Sequence, residues 1–164
     1  MKKFKEPRAL TAVAAFHHLF DMPVVDDPAI PSSDRCRLRI NLIEEELKEL
    51  KDAISKGNIV DAADALADLQ YVLSGAILEF GLGERFKSLF DEVQRSNMSK
   101  ACQSFADAEE TMRHYKKIQG VDSEIVEKDG CYLVFRLSDR KVLKSVKYSE
   151  ADLAKIVVDQ GIIE

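Results

Sequence analysis

The stretch IVDAADALADLQYVL, residues 59–73, sets Asp61, Asp64 and Asp68 among alanine, leucine, isoleucine, valine and tyrosine. Steps of three and four place the three carboxylates along one side of a helix. The rest of the cylinder is apolar: Ala62, Leu66, Leu69, Leu73 and Ala76 form one stripe, and Val60, Ala63 and Ala67 widen it. A helix apolar on more than one side belongs in the middle of a helical bundle. Carboxylates there are expected to be partly desolvated, so each must find a cation or take up a proton.

The flanking sequence supplies the other helices. A second helix, capped by Ser33 or Asp34, runs to about Lys56 before Gly57. Its residues Cys36, Ile40, Ile43, Leu47, Leu50 and Ile54 alternate steps of four and three, the pattern of a packing seam. The first helix covers residues 8–20, with Leu10, Val13, Phe16 and Phe20 on one face. The loop DMPVVDDPAIPSSD, holding three of the four prolines, follows it. The third helix extends from near Asn58 to near Phe80. A fourth starts at Glu84 and buries Phe86, Leu89, Phe90 and Val93, and a polar helix covers 104–117. Beyond Gly120 the period changes. SEIVEKDG, CYLVFRLSD and RKVLKSVKY alternate as short strands, with turns at Asp129-Gly130 and Ser138-Asp139. SEADLAKIVVD closes the chain as a helix opened by Ser149. The expected fold is all-α: a four-to-five-helix bundle over about 8–117, with a small C-terminal β-hairpin appendage and last helix over about 122–160. Residues 1–164 are expected to form a single domain.

Hydrophobic residues make up 46% of the chain and charged residues 32%, a globular composition. The net charge of -5 argues against a nucleic-acid partner. Cys36, Cys102 and Cys131 are odd in number and form neither a disulfide framework nor a zinc spacing, which fits a reducing cytoplasm. The N-terminus MKKFKEPRALTAVAAFHHLF has the basic start and apolar run of a signal peptide. His17, His18 and Phe20 stand where its cleavage site would be, so an amphipathic helix is expected instead. No apolar stretch is long enough to span a bilayer.

EEELKELKD, residues 44–52, adds Glu45, Glu46 and Glu49 within one turn of each other. If the second and third helices are antiparallel across the KGN turn, these come level with Asp61, Asp64 and Asp68. Lys48 and Lys51 lie on other faces. Taken alone, the glutamates describe a solvated face, and Asp61 a residue favoured by the helix dipole. Together the carboxylates describe a divalent-cation site. Oxygen ligands without His or Cys select a hard cation, Mg²⁺ or Mn²⁺. A ferritin-like di-iron bundle needs Glu-x-x-His pairs, which His17, His18 and His114 do not make.

Glu45-Glu46-Leu47-Lys48-Glu49, followed by Ala67-Asp68-Leu69-Gln70-Tyr71, resembles the all-α nucleoside triphosphate pyrophosphohydrolases. This superfamily includes MazG, the dimeric dUTPases and phosphoribosyl-ATP pyrophosphohydrolase. EVQRSNMSK (92–100) and DRKVLKSVKYSEADL near the C-terminus are similar to the MazG-like branch close to the dimeric dUTPases. The resemblance implies Mg²⁺-dependent hydrolysis of a (deoxy)nucleoside triphosphate, dUTP or another pyrimidine nucleotide, to a monophosphate and pyrophosphate. It implies that Glu46, Glu49 and Asp68 hold the metal, that Glu45 activates water, and that Asn97 and Lys100 contact substrate. A homodimer or dimer of dimers is expected with it. The family's pattern is EExxE on one helix and ExxD on the next, but three residues before Asp68 stands Ala65, and Asp64 is the expected substitute ligand. Phosphoribosyl-ATP hydrolysis is the alternative reaction, and a non-catalytic metal-binding dimerisation module the alternative class. Tyr71, His17 and Phe20 are residues that could line a base pocket or belong to the core.

Overall fold

Capping side chains and left-handed glycines set the helix ends in the computed structural model, which describes residues 2–158. Among these residues the chain forms six helices and one two-stranded antiparallel hairpin, the all-α class with a hairpin appendage. It divides into two compact units between Phe86 and Lys87. No helix among the described residues is long and apolar enough to cross a membrane.

The first unit contains α1 (Ala9–Leu19), α2 (Ser33–Lys56) and α3 (Ile59–Glu79). Ser32, one residue before the expected cap, accepts from Arg35 N to open α2. Gly57 ends α2 at φ 64°, where a side chain would be strained. Asn58 Oδ1 accepts from Val60 N at 3.0 Å and Asp61 N at 3.3 Å and opens α3 at once. A turn this short makes α2 and α3 antiparallel neighbours, and α1 packs against α3.

The packed faces are rotated from those the apolar stripes suggest. On α2 the buried residues are Arg39 and Ala53, with Glu46 half-buried between them, while Ile40, Leu47 and Ile54 are exposed. On α3, Ala62 and Ala65 are buried but Leu66 and Leu73 are exposed. Small residues explain the rotation. Ala53, Ala62 and Ala65 bring little bulk to the buried faces, where leucines would hold the helices apart. On α1 the buried pair is Val13 and His17, not Phe16 and Phe20.

A polar cluster locks this arrangement. Buried Glu79 accepts from Arg35, with Nε at 3.1 Å, and from Arg39 Nη2 at 2.5 Å. Arg39 Nη2 also lies 3.0 Å from His17 Nε2, and His17 Nδ1 lies 2.7 Å from the Pro23 carbonyl. The carbonyl requires a proton on Nδ1 and the guanidinium a lone pair on Nε2, which selects the Nδ1–H tautomer. A Cβ at Gly75 would sit 2.6 Å from Arg39 Nη1, so glycine makes room for the guanidinium. The proline-rich loop closes over the far end of α3 through Val25 N to Leu78 O and Ala29 N to Phe80 O. Gly81, at φ 68°, passes so close to Asp27 that a Cβ would overlap its carbonyl.

The second unit contains α4 (Phe86–Met98), α5 (Phe105–Gln119), β1 (Ser123–Lys128), β2 (Cys131–Arg136) and α6 (Leu153–Val158). Asp129 and Gly130 both take positive φ, the two-residue turn that matches strand twist. Cys102, Ala108, Val134 and Leu143 form its core. The expected third strand is reduced to a single bridge, Phe135 to Val142, because the chain leaves the hairpin there. On α4, Leu89 is buried, but Phe90 and Val93 are exposed, against expectation. The chain after the hairpin lies along α4. Ser145 N donates to Lys100 O at 3.2 Å, Ser149 N to Ser99 Oγ at 3.0 Å, and Asp152 N to Glu92 Oε1 at 2.9 Å. Ser149 is therefore engaged elsewhere, and Asp152 caps α6 by accepting from Lys155 N. The continuation of α6 expected to about 160 lies outside the described residues.

Burial pushes the Glu79 carboxyl up, but hydrogen bonds and charge from Arg35 and Arg39 outweigh it and hold the carboxyl below the ordinary glutamate value. A depressed folded-state pKa contributes stability above the ordinary glutamate value, and that contribution is lost as pH falls through the lowered one. Glu79→Gln is expected to cost about 3–5 kcal/mol at neutral pH, because Arg39 is left buried and unpaired. Chemical denaturation at pH 7 and in acid checks this: the gap between wild type and variant narrows as pH falls.

Candidate functional site

Because α2 and α3 are antiparallel across Gly57, residues equally far from Gly57 face each other. The close approach of Arg39 to Gly75, which are equidistant from it, fixes this register. In the same register Glu46 faces Asp68, and Ala53 faces Asp61. The turn and the two caps thus bring the glutamates of α2 level with the aspartates of α3.

Electrostatics reports the same neighbourhood. Burial, then the charges of Asp68, Glu49, Glu45 and Asp64, raise the Glu46 carboxyl above its ordinary value. Glu46 Oε2 is buried and has no hydrogen-bond partner among the described residues. The other four carboxylates are exposed, as is Asp61. The desolvation expected for the aspartates therefore falls on Glu46 alone, since the contact face of α3 runs through Ala62 and Ala65. Among the described residues no three His, Cys, Asp or Glu side chains converge closely enough to hold a metal ion as they stand. The residues nonetheless fit a hard divalent cation. Their donors are all carboxylate oxygens, and one of those oxygens is shielded and unsatisfied.

Towards the turn, a cavity of about 220 Å³ is lined by Glu49, Asp52, Ala53, Lys56, Asp61 and Asp64. Lys56 brings a cation to this rim, which the reading of Lys48 and Lys51 had not anticipated. Ala65, where the family glutamate is missing, is only 1% exposed. Asp64 lies beside it and acts on Glu46, whereas Asp61 is not among the charges that do.

Asn97 and Lys100 lie in the second unit, at the end of α4. Lys100 Nζ donates to Asn97 Oδ1 at 2.7 Å, and no carboxylate pairs with Lys100 among the described residues. Within EVQRSNMSK, Glu92, Arg95, Ser96 and Ser99 spend their polar groups on one another and on the following tail, through Glu150, Tyr148, Ser149 and Asp152. Asn97 alone of these polar residues bonds only to Lys100. Sequence reasoning missed the Glu79, Arg39 and His17 cluster. Its one visible sign was Gly75, a poor helix former in mid-helix.

A raised carboxyl pKa in the folded state contributes stability at low pH that is lost as pH rises through it. The metal-free fold therefore carries a penalty at neutral pH. Glu46→Gln is expected to raise the melting temperature of metal-free protein, by about 2–4 °C for each kcal/mol relieved. It is also expected to shrink the added stabilisation from saturating Mg²⁺. Thermal melts with EDTA and with Mg²⁺ check both; a full wild-type Mg²⁺ increment in the variant would remove Glu46 from the ligand set.

Residues 13–97 match the family described as phosphoribosyl-ATP pyrophosphohydrolase. The match spans α2, α3 and the carboxylates of both, and ends at Asn97. The chain is also similar to an uncharacterised protein of Acanthamoeba polyphaga mimivirus, 34% identical over 116 residues, covering 62% of this chain and 46% of that protein. The chain thus spans about half the length of this curated relative.

Proposed function

The chain belongs to the phosphoribosyl-ATP pyrophosphohydrolase family, of the MazG-like superfamily, and we propose that it hydrolyses a nucleotide between its α and β phosphates to release pyrophosphate. The observation that carries this reading is Glu46, whose buried, unpartnered oxygen sits among carboxylates from two helices. Carboxylates grouped around Glu46 repel a polyphosphate unless a cation lies between them. Glu46, Glu49, Asp64 and Asp68 would hold Mg²⁺, with Mn²⁺ as a substitute. Bound there, Mg²⁺ supplies neutralisation of phosphate charge and a more acidic water. Glu45 orients the attacking water and takes its proton as the water oxygen bonds to the α phosphorus. The bridging oxygen leaves with pyrophosphate. On the strength of the SNMSK motif, Asn97 and Lys100 contact the substrate, Lys100 at phosphate.

Two substrate readings stand side by side. The family description favours phosphoribosyl-ATP, and the C-terminal motifs favour a (deoxy)nucleoside triphosphate such as dUTP. The three cysteines are free thiols, in keeping with a cytoplasmic enzyme. Exposed Ile40, Leu47 and Ile54 recur every seven residues along α2, and we assign this row to a homodimer contact. Leu47→Glu should then shift the sedimentation coefficient to that of a monomer; an unchanged oligomeric state would remove the row from the contact.

A pyrophosphate-release assay over phosphoribosyl-ATP, dUTP and the other nucleoside triphosphates is expected to show turnover with Mg²⁺ or Mn²⁺ and none with EDTA. Orthophosphate as the first product would overturn the cleavage site, and metal binding without turnover on any substrate would make this a binding module. Glu45→Gln is expected to slow turnover by roughly 10²–10⁴-fold while Mg²⁺ still binds.

Asp64→Ala should damage turnover nearly as much as Asp68→Ala, and Asp61→Ala less. Ala65→Glu in the Asp64→Ala background restores a carboxylate three residues before Asp68, and partial recovery of Mg²⁺-dependent hydrolysis is expected. An active Asp64→Ala beside an inactive Asp61→Ala would move the ligand to Asp61.

A further inference from the structure

Residues 2–8, ahead of α1, carry Lys2, Lys3, Lys5 and Arg8 against a single acid, Glu6. All are exposed and lie outside any helix or strand. Lys2 Nζ sits over the Phe4 ring, 5.3 Å from its centroid, and among the described residues no carboxylate pairs with any of the four cations. Arg8 is the N-cap of α1, and its side chain makes no capping bond. Its guanidinium is therefore not spent on the fold. In the rest of the first unit acidic side chains outnumber basic ones, so this arm is a basic segment on an acidic body.

The arm leaves the fold beside the carboxylates. Phe16 meets Tyr71 at 5.7 Å, a Cβ at Gly75 would lie 3.1 Å from His17 Nε2, and further on Val25 N donates to Leu78 O and Ala29 N to Phe80 O. Later residues of one segment meet later residues of the other, so α1 and α3 run in the same direction. Val13 is buried and Ala9 and Leu10 are half-buried, so α1 stays packed down to its first turn. Arg8 stands eight residues before Phe16, and Asp64 seven before Tyr71, about 12 and 10.5 Å back along the two axes. Arg8 is thus level with Asp64. Asp64, Asp68 and Tyr71 share one line along α3, so the side that α1 touches at Tyr71 is the side that bears the carboxylates. From Arg8 an extended chain carries Lys5 about 10 Å and Lys2 about 20 Å further.

We propose that Arg8, with Lys5, Lys3 and Lys2 ahead of it, closes over the outer phosphates of the substrate once Mg²⁺ holds them at the Glu46 group. This rests on the pyrophosphohydrolase reading. A triphosphate carries more negative charge than one divalent cation balances, and the carboxylates beneath it supply none of the remainder. Arg8 offers a planar fork for two phosphate oxygens from a fixed place at the start of α1, while the lysines are point charges on a movable chain. The acidic body repels a long polyanion such as a nucleic acid, but not a short one whose charge Mg²⁺ offsets. The arm therefore counts phosphates rather than reading a base: it grips a triphosphate and lets a monophosphate product go.

The test uses the full chain with Mg²⁺ in calorimetric titration against α,β-imido-dUTP, inorganic tripolyphosphate, dUMP and a single-stranded DNA oligonucleotide. Arg8→Gln, and the triple variant Lys2→Gln, Lys3→Gln and Lys5→Gln, remove charge from exposed side chains and are expected to leave the melting temperature unchanged. Arg8→Gln is expected to weaken the imido-nucleotide and tripolyphosphate alike by roughly 5- to 50-fold, with dUMP and Mg²⁺ alone held within about threefold. The triple variant is expected to lose roughly 3- to 10-fold on the same two probes, a loss that fades as added salt screens the lysines. Arg8→Lys recovers part of the affinity, and in turnover KM rises with the binding loss. Unchanged tripolyphosphate affinity in both variants, with wild-type turnover intact, would overturn the arm and leave the pyrophosphohydrolase reading standing. So would a tenfold gain in Mg²⁺ affinity with phosphate binding untouched, since the arm would then compete with the metal for the carboxylates. A loss confined to the oligonucleotide would also overturn it, since the arm's partner would then be nucleic acid. Wild-type protein that neither binds the imido-nucleotide nor releases pyrophosphate would overturn both.

Discussion

The contact between Arg39 and Glu79 across α2 and α3 holds the first unit in register. A short turn makes two helices neighbours but does not by itself choose which faces meet. Here a buried carboxylate takes two guanidinium groups, one of them against His17, and Gly75 leaves the space they need. Turning α2 by one residue would bury a charge without its partner, a cost that apolar contacts on such small side chains do not offset. Once the register is held, every residue of α2 has a defined opposite on α3.

That register brings two kinds of buried charge onto one face of α2. Arg39 and Glu46 are two turns apart on the same side. Arg39 meets Glu79, and its charge is balanced within the fold. Glu46 meets Asp68, and its charge is opposed by further carboxylates. The same helix pairing therefore satisfies one end of the interface and leaves the other electrostatically incomplete. Local stability and function pull in opposite directions at such a place, and the incomplete end is where a cation has most to contribute. Tyr71 lies next along α3, and its ring meets Phe16 of α1 edge to face.

The second unit uses its polar residues differently. Four residues of EVQRSNMSK, Glu92, Arg95, Ser96 and Ser99, commit side-chain groups to one another or to the returning tail. Thr111 ties α5 into the same arrangement by accepting from Val146 N at 3.1 Å. What the tail leaves over is the Asn97 and Lys100 pair, a donor-rich group with no carboxylate beside it among the described residues.

Local chemistry made much of this legible in the sequence. Helix ends at Gly57 and Asn58, and the Asp129-Gly130 turn, follow from residues acting on backbone within a few positions. The grouping of Glu45, Glu46, Glu49, Asp64 and Asp68 was legible for the same reason: helical spacing and equal distance from a tight turn need no knowledge of packing. The family resemblance supplied roles that spacing alone could not. Only the tertiary structure decided which faces met. The broad leucine stripes of α2 and α3 suggested one answer, and small residues with a buried ion pair chose another, leaving Ile40, Leu47, Leu66 and Leu73 outside. It also decided that burial falls on Glu46 rather than on the aspartates, that the third strand stops at one bridge, and that Phe16 and Phe20 stay open while His17 goes inside. Periodicity marks a residue's side of its own helix. Whether that side is covered depends on the size and charge of groups distant in the chain, and those meet only in the folded molecule.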